Sequence, residues 1–82
     1  MLEYSEIIVE SYLESGSGLH GVVHIRPAIN QYYSQNLRVE CSKKLITNYP
    51  VGTKFRLRVK LTDKDGGNPF LYSSYKWKVT PL

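Results

Sequence analysis

Residues 53–62 constrain the fold more than any other stretch. Lys54, Arg56, Arg58 and Lys60 alternate without interruption against Phe55, Leu57, Val59 and Leu61. Successive side chains of a β-strand point to opposite faces, so this period of two predicts a strand with one apolar and one cationic face. The apolar face demands a sheet with a buried side.

Weaker copies of the pattern recur along the chain. Residues 6–13 place Ile7, Val9, Ser11 and Leu13 against Glu6, Ile8, Glu10 and Tyr12. Residues 14–18 carry turn chemistry, and residues 19–26 resume alternation, so the first two strands read as a hairpin. Pro27 cannot donate to a ladder and ends the second strand or sets it at an edge. Residues 28–36 are open to a short helix after Pro27, a loop or a continuation of the strand. Residues 37–42 read as a third strand, with Cys41 on the core parity of Leu37 and Val39. Residues 48–52 form a turn between Pro50 and Gly52, and residues 62–69 form a polar loop. The last strand spans 70–80. Its parity sends Tyr75, Trp77 and Val79 to the core and Lys76, Lys78 and Thr80 outward; carried backwards it sets Phe70 and Tyr72 outward, unless a bulge at Ser73-Ser74 reverses it. We expect one all-β domain over residues 1–82: a small antiparallel barrel or strongly curled sheet of five to six strands, with at most one short helix.

A chain of 82 residues buries only about 60–65% of its unfolded surface, which leaves little room for a deep cleft. One cysteine allows neither an intrachain disulfide nor a paired-cysteine zinc site. The longest aliphatic run near the start, Ile7-Ile8-Val9, is flanked by glutamates and is neither signal peptide nor membrane span. A soluble cytoplasmic protein without membrane contact is the expectation. The formal charge of +4 is uneven. Residues 1–41 hold five Glu against two Arg, a balance of −3; residues 42–82 hold nine Lys or Arg against two Asp, a balance of +7. Halves of opposite charge attract each other or another copy of the chain.

Two surfaces carry the functional expectations. Lys54, Arg56, Arg58, Lys60, Lys76 and Lys78, with aromatic residues nearby, resemble the basic grooves over which small barrels hold single-stranded nucleic acid. The competing reading is that Glu6, Glu10 and Glu14 neutralise this stripe across the sheet, at about 0.2–1 kcal/mol per pair; an acidic protein is a third possibility. Tyr32, Tyr33, Phe70 and Tyr72 are candidates for self-association, since tyrosine is enriched at interfaces.

Other chemistry finds less support. His20 and His24 share strand parity, but four residues of strand span about 13 Å, too far for one zinc ion. Asp63-Lys64-Asp65-Gly66 opens like a calcium loop, but Gly67 and Ser74 stand where further ligands belong. No nucleophile turn or glycine-rich phosphate loop is present. We expect no enzyme, no metal and no cofactor.

The run from Asn48 through Thr62, with Gly66-Gly67 and the segment Phe70-Leu71-Tyr72-Ser73-Ser74-Tyr75-Lys76-Trp77, resembles short bacterial proteins of the integron mobile gene cassette type. The resemblance covers residues 37–77 and implies a bacterial, intracellular, all-β protein; it carries over no site residue. The function expected is a non-catalytic binding or assembly module that forms homo-oligomers. Its alternative is a nucleic-acid-binding β-barrel using the basic strand face.

Overall fold

The alternation at residues 54–62 becomes the central strand of a curled sheet. The computed structural model describes residues 4–14, 22–62 and 67–82. Six strands follow in chain order: β1 (Tyr4–Glu14), β2 (Val22–Pro27), β3 (Val39–Glu40), β4 (Lys54–Thr62), β5 (Phe70–Tyr72) and β6 (Val79–Pro81). One helical turn, α1 (Lys44–Thr47), lies between β3 and β4. The sheet runs β2-β1-β4-β5-β3, with β6 also on β4, and it bends into a nearly closed barrel. The all-β fold read from alternation is the fold observed.

Strand parity decides what lies inside. Phe55, Leu57 and Val59 are fully buried, while Lys54, Arg56 and Arg58 are exposed. Ile7, Val9, Ile25, Val39 and Leu71 complete the core from the other strands, and Leu45 closes it from α1. Burying each such aliphatic or aromatic side chain contributes about 1.5–3 kcal/mol. A four-residue helix cannot stand alone in water, so α1 exists because Leu45 is buried. Leu61 departs from the pattern, being 47% exposed. It lies at the far end of β4, where β5 crosses only its last three residues.

Element bounds differ from the sequence reading in physically instructive places. Residues 28–36 are turns and bends rather than a helix. The third strand contracts from 37–42 to two residues, and it pairs with β5 in parallel, Val39 opposite Leu71. β2 lies at one end of the sheet path, as Pro27 requires. The turn before β4 depends on Gly52, whose φ of +97° favours glycine. Gly52 N–H donates to the hydroxyl of buried Ser11 at 3.0 Å and so ties the turn to β1.

The largest departure is in the last strand, which is two strands. Lys60 faces Tyr72 and Leu57 faces Val79. Two residues of β4 (58 and 59) therefore oppose a stretch of six (73–78), a surplus of four. That surplus leaves the sheet as a turn. Ser74 C=O accepts from Trp77 N–H at 3.0 Å, and the Ser74 hydroxyl accepts from Lys76 N–H at 3.2 Å. Serine hydroxyls bond local backbone readily and compete with strand ladders. The core placement expected for Tyr75 and Trp77 is corrected accordingly. Tyr75 is 75% exposed, and Trp77 is half-buried on the outside of the barrel.

The expected hairpin turn at residues 15–18, His20 and the polar segment 63–66 lie outside the described residues. No helix among the described residues is long and apolar enough to cross a membrane.

Candidate functional site

β1 sits between β2 and β4, so the acidic strand borders the cationic one directly. Outer-face residues meet in rows across the sheet. Arg26, Glu10 and Lys54 form one row; Ile8, Arg56 and Thr80 another; Glu6 and Arg58 a third; and Tyr4, Lys60, Tyr72 and Glu40 a fourth.

The first row is an ion-pair network. Arg26 Nε donates to Glu10 Oε2 at 2.8 Å, Gln35 Nε2 donates to the same oxygen at 3.3 Å, and Lys54 Nζ lies 3.9 Å from Oε1. The Arg26 guanidinium also covers the Tyr12 ring at 4.3 Å. Near the open seam between β2 and β3, Glu14 Oε1 lies 3.3 Å from His24 Nε2 and 3.5 Å from Arg38 Nη2. Arg38 Nη1 is 2.9 Å from His24 Nδ1. The same Nη1 is 3.1 Å from His24 Nε2, so the donor and acceptor roles of the ring depend on its tautomer. His24 thus sits against the Glu14–Arg38 ion pair, within 3.3 Å of Glu14 and 2.9 Å of Arg38.

The opposite end of the face differs. Arg56, Arg58, Lys76 and Lys78 line one groove of about 490 Å³ with Glu6, Trp77 and Thr80. Four cations there meet one carboxylate. None of the four forms an ion pair among the described residues. Glu6 sits opposite Arg58 in register but makes no salt bridge with it. The excursion at residues 73–78 produces this arrangement by bringing Lys76, Trp77 and Lys78 over Arg56 and Arg58. Trp77 joins the aromatic row: its ring centroid is 4.9 Å from Tyr4 and 6.1 Å from Tyr72, edge to face in both cases. The Arg58 guanidinium lies 5.9 Å from the Trp77 centroid. Tyr4 and Tyr72 remain 44% and 43% exposed.

The six cations singled out in sequence therefore divide. Arg56, Arg58, Lys76 and Lys78 converge on the groove. Lys54 belongs to the Glu10 network, and Lys60 stands between Tyr4 and Tyr72 in the aromatic row. Tyr4 and a surface Trp77 were not legible as partners. Tyr4 precedes the alternating stretch at 6–13, and Trp77 follows core parity unless the Ser73-Ser74 pair breaks the strand. That serine pair is the signal for the break.

The tyrosine candidates also separate. Tyr32 and Tyr33 pack edge to face at 5.0 Å in the loop after β2; Tyr32 is 90% exposed and Tyr33 rests against the core. Phe70, half-buried, and Tyr72 lie on β5. Cys41 is partly buried against the core. Burial, and next the neighbouring Glu40 carboxylate, push its thiol up to about 11. A thiol so shifted is protonated at neutral pH and is a poor nucleophile.

Comparison with protein-family models, with curated proteins and with solved structures found no match to the chain.

Proposed function

We propose that this chain is a non-catalytic module that binds single-stranded nucleic acid along the outer face of its barrel. One observation carries the reading: on the outer face, part of the cationic stripe is neutralised by Glu10, while Arg56, Arg58, Lys76 and Lys78 have no ion pair among the described residues and gather beside Trp77. Like charges held together cost stability unless something anionic meets them. The aromatic row of Tyr4, Trp77 and Tyr72 narrows the anion to a strand with unstacked bases, because base–aromatic stacking accompanies basic grooves in single-strand binders. An acidic protein would also use the charges, but it brings no unstacked bases to the rings. The resemblance to integron cassette products would imply a bacterial, intracellular module.

Electrophoretic mobility of labelled single-stranded DNA tests the reading. Arg58→Ala and Lys78→Ala should each weaken binding and lower the magnitude of its log–log salt slope by about one. Lys54→Ala, on the same face of the same strand, should leave both unchanged. Equal losses in all three variants would mean diffuse charge rather than a site.

Self-association is the second reading. It rests on Tyr32 at 90% exposure and on Leu13 and Val22, both more than half exposed at one end of the β1–β2 pair. Light scattering across a concentration series checks it. A mass that rises toward a dimer supports an assembly surface there, and a constant monomer mass removes it.

A further inference from the structure

The far side of the excursion forms a second recess, of about 290 Å³, lined by Glu40, Cys41, Ser42, Tyr72, Ser73 and Tyr75. Its volume lies just below the roughly 300–1,000 Å³ of sites for drug-sized molecules, a size suited to one planar heterocycle. Two polar groups line it without side-chain partners among the described residues, one buried and one exposed. The Ser73 hydroxyl is buried, with the residue only 2% exposed, and has no hydrogen-bond partner among the described residues. Buried hydroxyls are normally satisfied, so an orphan one points to a missing partner. The Glu40 carboxylate makes no ion pair or side-chain hydrogen bond among the described residues. Cys41 contributes a protonated thiol and no charge.

The recess and the cationic groove share a wall. Residues 73–78 turn Tyr75 toward the recess and Trp77 toward the groove. Tyr72 lines the recess while its ring contacts Trp77. A strand whose phosphates follow Arg56, Arg58, Lys76 and Lys78 thus passes within reach of the recess with a base.

We infer that the Glu40–Ser73–Tyr75 recess receives one base of the bound strand and selects guanine; this rests on the single-strand reading above. A carboxylate offers two acceptors and no donor. Guanine presents adjacent donors, N1–H and the 2-amino group, that match both oxygens. Thymine and uracil place acceptor oxygens on either side of a single N–H, so a carboxylate repels their edges. Tyr75, 75% exposed, supplies a ring face for stacking.

Fluorescence anisotropy with two oligonucleotides of about twelve nucleotides, a length within single-domain site sizes, tests the assignment. One is all thymidine; the other carries a single central guanine. The guanine oligomer should bind about tenfold tighter, within the range of a bidentate base contact. Glu40→Gln should erase that difference, since the amide N–H₂ opposes a guanine donor and no longer repels a thymine edge. Binding of both oligomers with equal affinity, or a preference that survives Glu40→Gln, overturns the guanine recess and leaves the groove standing. Binding of neither at low salt overturns groove and recess together. Ribose counterparts run in parallel identify the sugar; a guanine preference erased by the variant in either series supports the recess.

Discussion

Lys54 and Arg58 stand four residues apart on one strand face in opposite surroundings. Lys54 faces Glu10, which already holds Arg26 at 2.8 Å. Arg58 faces Glu6 without a salt bridge and leans over Trp77 at 5.9 Å. The same residue class is architecture in one row and an open charge in another, because surface pairs contribute little unless their geometry is held. Cys41 makes a separate residue-scale point. Its thiol rises from the usual 9.0 to about 11 in the folded protein. Between those values the unfolded chain has lost the proton that the folded chain keeps, so stability should fall as pH rises through that window. Chemical denaturation at stepped pH checks this against Cys41→Ala, which should show a smaller loss there. Alkylation of native protein at neutral pH should be slow, and a fast reaction would contradict a protonated, half-buried thiol.

The informative element is the excursion between β5 and β6. Its surplus of four residues is even, so Leu71 and Ser73 before it and Val79 after it stay on one parity. Deleting residues 74–77 should therefore let β5 run directly into β6, with Ser73 opposite Val59 and Lys78 opposite Arg58. We expect the deletion variant to keep the strand-dominated circular dichroism of the parent and to lose nucleic-acid binding. Loss of folding would mean that the turn is structural. The strands themselves were legible because alternation is local: each of residues 54–60 declares its own face. The excursion was legible only as an option, since Ser73-Ser74 can sit in a strand or leave it. Alternation could not announce the parallel pairing of β3, whose partner lies more than thirty residues away, Val39 with Leu71. Nor could it announce α1, whose helical turn depends on the burial of Leu45 against strands distant in sequence. The candidate groove shared that limit. Four of its residues were visible as a charge pattern, but their separation from Lys54 depends on which strand neighbours β4.

At the scale of the whole molecule, the barrel sorts its charge. Glu10 and Glu14 gather Arg26, Lys54, Arg38 and His24 toward one end of the outer face. Arg56, Arg58, Lys76 and Lys78 remain at the other beside an aromatic row. The net charge of +4 is therefore a poor guide to the local potential; the cationic excess lies around Trp77. That residue is the chain's single tryptophan and so reports on the site alone. The most direct measurement is its fluorescence during titration with a thymidine oligomer of about twelve nucleotides, a length spanned by single-domain sites. Four phosphate contacts to a single strand predict saturable quenching, with affinity falling about fifty-fold between about 50 and about 200 mM salt, a log–log slope near −3. An emission that does not change on titration, or a quench whose midpoint ignores salt, would contradict the account.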